Sequence, residues 1–146
     1  MVIRVYLDNC CFNRPYDEQN LLKIRLETQS KLNIQQLVLD KKIELAWSFI
    51  LEYENDENPF IERRKRIDEW RNFAVVDCDL TAEILEKSKE LGKLGLKEKD
   101  SFHVACAIFG NADYFITTDV KIINKGISEI KVINPVEFAY VTEGSI

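Results

Sequence analysis

The chain has 146 residues, 46% of them hydrophobic, and a formal charge of -5; this allows one buried core, predicts a single domain over residues 1–146, and excludes a protein that coats nucleic acid through bulk positive charge. Arg4 interrupts the first apolar run and no later run approaches the ~20 apolar residues of a membrane span, so a soluble, cytoplasmic chain without a cleavable signal and without a membrane partner is expected. Cys10, Cys11, Cys78 and Cys106 show neither C-x-x-C spacing nor the density of a disulfide scaffold, and are read as reduced, packed thiols.

In chain order, Val2 to Leu7 is a short β-branched and apolar run suited to a buried strand, ending in polar Asp8 and Asn9. A loop through Asn13, Arg14 and Pro15 leads to a long helical stretch from about Glu18 to Lys41, with Leu22, Leu26 and Leu37 among its apolar positions. Ile43 to Trp47 reads as a second strand, with Ser48 capping a short helix that reaches Asn55. Asn58 before Pro59 predicts a helix start, because the side chain can accept a backbone hydrogen bond and proline fits the first turn; that helix runs to about Phe73. Ala74 to Cys78 is a third strand candidate, and Thr81 caps a helix fading near Gly92. Gly95 permits a turn before a helix over about Glu98 to Phe109, ended by Gly110 and Asn111. Tyr114 to Thr117 and Lys131 to Ile133 complete the strands, with a short helix around Val120 to Asn124 between them. Short apolar strands alternating with helices predict an α/β fold whose parallel sheet is covered on both faces. Ligands of such sheets gather beyond the carboxyl ends of the strands, where Asp8 and Asp119 lie.

Asp8, Glu54, Asp100 and Asp119 sit at boundaries of apolar segments instead of on evident solvent faces. Each alone is more often a cap or turn residue than a catalyst. Converging, pairs about 5 Å apart would repel by roughly 3 kcal/mol each at an effective dielectric of 20, so the group calls for a cation or a proton. Oxygen ligands of this kind suit Mg²⁺ or Mn²⁺ better than zinc.

The segments YLDNC (Tyr6 to Cys10), SFILEYE (Ser48 to Glu54), DSFHVACA (Asp100 to Ala107) and ADYFITTD (Ala112 to Asp119) resemble, in order and spacing, the successive signatures of PIN-domain proteins. The resemblance spans nearly the whole chain. It implies a three-layer α/β/α fold with a central, mainly parallel sheet, a divalent-metal site, and hydrolysis of RNA to 5′-phosphate and 3′-hydroxyl products. Many relatives are toxins of toxin-antitoxin pairs, which implies an antitoxin protein as partner; others process or survey RNA. Carried over, Asp8, Glu54, Asp100 and Asp119 are the four family acids, and Asn9, Ser48 and Thr117 fall where supporting polar residues stand. The family often has Thr or Ser directly after the first acid and Asn next, whereas this chain has Asn9 and Cys10. The rival from another class is a catalytically silent PIN-like module that binds RNA or a protein; a metal-binding measurement separates the two.

His103 is the only histidine, so a histidine-pair nuclease mechanism is excluded; a hydrogen-bonded packing role is favoured for it, with contact to the site as the alternative. Arg63, Arg64, Lys65 and Arg66 form the sharpest basic run. A solvated face is the simpler reading of that run, and phosphate contact by Arg63 and Arg66 the functional one. Arg14, in the loop after Asp8, is a second RNA-contact candidate. Trp47, Trp70 and the long leucine-bearing helix are read as core or interface elements, the helix suited to a homodimer or an antitoxin groove.

Overall fold

A computed structural model describes residues 2–146. The strands are β1 (Arg4–Leu7), β2 (Glu44–Ser48), β3 (Ala74–Cys78), β4 (Tyr114–Ile116) and β5 (Lys131–Ile133), in one sheet of order β3-β2-β1-β4-β5 with every pairing parallel. Val5, Tyr6 and Leu7 of the central strand are fully buried, as expected for a strand covered on both faces. The helices are α1 (Asn9–Asn13), α2 (Leu22–Leu39), α3 (Phe49–Asp56), α4 (Ile61–Asp68), α5 (Ala82–Gly92), α6 (Glu98–Phe109), α7 (Val120–Ile123) and α8 (Pro135–Thr142), with 3-10 turns over Arg14–Tyr16 and Glu69–Phe73.

Strand alternation assigns the helices to two layers. Tyr6 pairs in register with Ala46, so Trp47, one residue on, points to the opposite face. The Tyr6 ring meets His103 of α6 edge-on, and the Trp47 ring meets Phe12 of α1 edge-on. Lys31 of α2 lies over that same Phe12. The α6 layer, joined by α5, thus covers one face, and α1 and α2, joined by α8, cover the other. One core cluster runs through the sheet and both layers. Among the described residues, no helix is long and apolar enough to cross a membrane, and the four cysteines are free thiols.

Several predicted boundaries move. The segment after Asp8 was expected to be a loop; it is α1, capped by the Asp8 side chain, which accepts from the Asn9 N–H. The long helix begins at Leu22 rather than Glu18, because side chains tie residues 14–20 into a turn, Gln19 Nε2 donating to the Arg14 and Asp17 carbonyls and Arg25 to the Gln19 and Asn20 carbonyls. Asn58 does not cap a helix starting at Pro59. Its carboxamide oxygen accepts from the Phe60 N–H in a local turn, and α4 starts at Ile61. The helix α8 was not expected at all.

Candidate active site

The acids come from four elements. Asp8 follows β1, and its backbone N–H continues the β1–β4 ladder by donating to the Ile116 carbonyl at 2.9 Å. Asp119 follows β4 and caps α7, accepting from the Lys121 N–H. Glu54 projects from α3, and Asp100 from the first turn of α6. Together with Asn9, Asn13 and Asp17 these four line one cleft of about 360 Å³. A larger cavity of about 680 Å³ runs from Ile3 and Ala112, before β1 and β4, along the edge strand β5 and contains none of the four acids. Size does not decide between them, since parallel sheets bind ligands beyond the carboxyl ends of their strands.

Hydrogen bonds hold the carboxylates in place. Asp8 Oδ1 accepts from the Asn9 N–H at 2.8 Å, and Oδ2 from the Thr117 hydroxyl at 2.8 Å. The same Thr117 oxygen accepts the Asp119 N–H at 3.0 Å, so one buried hydroxyl spaces two of the acids. The Cys10 thiol lies 3.4 Å from both Asp8 Oδ2 and Thr117 Oγ1. Ser48 is fully buried, caps α3 by accepting from the Leu51 N–H, and bonds the Tyr6 hydroxyl at 2.6 Å. Tyr6 in turn bonds His103 Nδ1 at 2.6 Å, and His103 Nε2 bonds Glu54 and stands 3.8 Å from Asp8 Oδ1.

The bonding pattern Ser48–Tyr6–His103–Glu54 is consistent in either direction. With a neutral ring, Ser48 donates to Tyr6, Tyr6 to Nδ1, and Nε2–H to Glu54; with an imidazolium, Nδ1–H donates to Tyr6 and Tyr6 to Ser48. Burial opposes charge on His103, but the Glu54 bond and the negative charge of Asp8, Glu54 and Asp100 outweigh it and raise its pKa. Burial, reinforced by neighbouring charges, holds the Tyr6 phenol well above its ordinary value, so it stays protonated. Burial also raises the Asp100 carboxyl, and the charges of Asp8, Asp119 and Glu54 add to that. Tyr6 is thus a part of the site that the sequence reading did not place there, and for His103 the contact with the site that was the less favoured alternative is the one found. The only available signal for His103 was its position one helical turn after Asp100.

The basic candidates lie elsewhere. Arg14 is engaged within the chain, its guanidinium bonded to buried Glu27 at 2.9 and 2.6 Å and to Asp17 at 3.0 Å; it fastens the turn after α1 to α2. The Arg63 guanidinium stacks on Phe60 and Tyr16, 3.9 and 4.9 Å from the ring centroids. Arg66 is exposed, and neither it nor Arg63 lines the acidic cleft.

Among the described residues, no three His, Cys, Asp or Glu side chains are close enough to form a ready-made metal cage. The all-oxygen donor set fits a hard cation that keeps several waters and takes only one or two carboxylates from the protein better than zinc, which favours His nitrogen and Cys sulfur.

No family model and no curated protein sequence matches this chain. Solved structures do. A chain of VapBC2 from Rickettsia felis, bound to a DNA fragment from their promoter, is 18% identical with a TM-score of 0.57, covering 90% of this chain and 98% of that one. A toxin-antitoxin complex from Klebsiella pneumoniae contains a chain that is 17% identical with a TM-score of 0.62, over 90% and 97%. VapBC-1 from nontypeable Haemophilus influenzae gives 18%, 0.58, 91% and 98%. At these identities the likeness concerns the fold, and with the five-stranded parallel sheet and its two helical layers it identifies the chain as an α/β/α protein of PIN-like fold.

Proposed function

We propose that the chain is a Mg²⁺- or Mn²⁺-dependent ribonuclease that acts as the toxin of a toxin-antitoxin pair. The observation that carries this reading is the meeting of Asp8, Glu54, Asp100 and Asp119, from four different elements, in one cleft at the carboxyl end of the sheet. Such an arrangement costs folding energy through like-charge repulsion, which makes sense where a cation is used. A divalent ion would be held directly by one or two of Asp8, Glu54, Asp100 and Asp119 and through its waters by the others, and would supply charge neutralisation of the scissile phosphate and an acidified water. The protein's own part is positioning. Thr117 and the Asn9 N–H fix both oxygens of Asp8, Thr117 sets the Asp119 backbone, and His103 orients Glu54 through its Nε2–H.

The toxin part of the reading draws on the toxin-antitoxin assemblies that share the fold. The exposure of Leu22, Leu26, Leu32 and Leu39 on α2 also supports it, since these offer apolar surface to an antitoxin or a second copy. Hydrolysis of a single-stranded RNA by the purified chain is expected to need Mg²⁺ or Mn²⁺ and to fall by at least about 100-fold in Asp8→Asn, with the circular dichroism spectrum unchanged. Undiminished, metal-independent cleavage by that variant would overturn the mechanism. A parent chain that neither binds Mn²⁺ nor cleaves would instead be a silent PIN-like module.

A further inference from the structure

The acidic cleft does not end at its acids. Asp100 and Asp119 also line a second cavity, of about 270 Å³, together with Lys97, Lys121 and Lys125. Two carboxylates are thus shared between an acidic chamber and a basic one. The lysine ion pairs of the described residues involve Lys87 and Lys99; the three lysines of this cavity take part in none. Among the described residues none of the three is ion-paired, in a chain that is acidic overall, and they outnumber the two carboxylates of the cavity.

The loop before α6 makes room for one of them. Gly95 has φ +95, and a Cβ placed there would lie 2.9 Å from Lys125 Nζ. A side chain would occupy the space that the ammonium takes, and the backbone angle itself is one that residues with a Cβ rarely adopt. Lys125 is half-buried while Lys97 and Lys121 are exposed, and all three line the cavity.

We infer that this cavity is a backbone subsite, in which Lys97, Lys121 and Lys125 hold the RNA phosphodiester next to the one positioned at the acids. The inference rests on the ribonuclease reading for the substrate class, but the chemistry of the pocket is its own. A ligand reaching from one chamber to the other needs a hydrated, cation-neutralised linkage at Asp100 and Asp119 and an unneutralised anion immediately beyond, and successive phosphodiesters of one strand meet both needs. An acidic peptide satisfies only the second. The lysines contact backbone and not bases, so the subsite positions the strand without reading its sequence. Arg14 and Arg63, by contrast, already have partners within the chain, Glu27 for the first and the Phe60 and Tyr16 rings for the second.

The test uses the full chain and a non-cleavable phosphorothioate tetraribonucleotide, in Ca²⁺, followed by NMR and by fluorescence anisotropy across a salt series. The amide signals of Gly95, Lys97, Lys121 and Lys125 are expected to shift, and Lys121→Gln/Lys125→Gln is expected to weaken binding and reduce the magnitude of the log–log salt slope by about 1.4, two phosphate contacts at roughly 0.7 each for a single strand. Arginine at both positions should restore the slope, which a merely structural role for the lysines would not predict. Unmoved amides, or an unchanged slope in the glutamine variant, would overturn the subsite. An oligoglutamate peptide that shifts the same amides at lower concentration would also overturn it, reassigning the pocket to an acidic protein segment. If the tetranucleotide binds as expected but the parent hydrolyses no RNA in Mg²⁺ or Mn²⁺, the subsite stands and only the ribonuclease reading fails.

Discussion

Glu52 and Glu54 stand two positions apart on α3, and two residues turn a helix by about 200°. Only one of them can face the cleft. Glu54 lines it beside Asp8, while Glu52 pairs with Arg71 at 3.0 Å on the surface, where Arg71 also holds Asp77. Glu54→Gln is therefore expected to reduce metal-dependent turnover by about 100-fold, with Glu52→Gln remaining within a few-fold of the parent, both measured as initial rates at saturating Mg²⁺. A loss confined to the Glu52 variant would reverse the assignment. The four acids were legible as candidates because each breaks an apolar segment. Two of them, Asp8 and Asp119, are also the helix caps that the simpler reading of an Asp after a strand expects. Cap and ligand are compatible roles, since each carboxylate oxygen has a second lone pair after it accepts one hydrogen bond. Tyr6 and His103 were not legible in the same way. They are 97 positions apart, and Tyr6 in an apolar strand looks like any other core aromatic until the register sets it under α6.

Helix α2 shows why periodicity misjudges an element with a polar buried side. Glu27, Lys31 and Gln35, one turn apart, are all buried with Ile34 and Val38, while Leu22, Leu26, Leu32 and Leu39 face outward. Glu27 is satisfied by Arg14 and Asn134, but Lys31 has mainly the Phe12 ring, 5.6 Å from its ammonium. Burial pulls the Lys31 pKa from 10.5 down to about 8. Between those values the unfolded chain binds the proton and the folded chain does not, so this group makes stability rise with pH through that window. Below about pH 8 both states are charged and the folded one carries a penalty on the order of 3 kcal/mol. Lys31→Met is expected to raise the unfolding free energy in urea at pH 7, with the advantage shrinking by about 2 kcal/mol at pH 10. An equal advantage at both pH values would mean that the ammonium is not desolvated. Elsewhere the helix signals were present but unevenly used. Asn134 before Pro135 is the same start signal as Asn58 before Pro59. At the first, Asn134 caps α8, accepting from the Val136 N–H; at the second the same chemistry closes a turn two residues early. An Asn-Pro pair announces a reversal of the chain, and the residues that follow decide whether it begins a helix.

At the scale of the molecule, parallel pairing joins strands that are distant in the chain, and the order β3-β2-β1-β4-β5 follows from crossovers that no local pattern displays. The alternation of strand and helix was enough to foresee a parallel sheet, and the carboxyl-end rule was enough to place Asp8 and Asp119 at its ligand-binding side. It could not foresee that Asp100 would close the cleft from α6, where burial and three neighbouring acids all disfavour its charge. That unfavourable placement should be visible in the stability of the whole chain. In EDTA, Asp100→Asn keeps the shape of the side chain and removes one member of the repelling group, so the variant is expected to melt above the parent. On the proposed function, added Mg²⁺ would bind the folded cleft and not the unfolded chain. At 100 times its dissociation constant it stabilises the parent by about 2.7 kcal/mol, or roughly 5–10 °C in Tm for a chain of this size. The variant, short of one carboxylate, should gain less, and the difference seen in EDTA should close or reverse. Calorimetry of both proteins with EDTA and across a Mg²⁺ series measures this directly. An Asp100→Asn protein that melts below the parent in EDTA would mean that the carboxylate contributes to folding by itself, and equal Mg²⁺ shifts in the two proteins would place the ion away from Asp100.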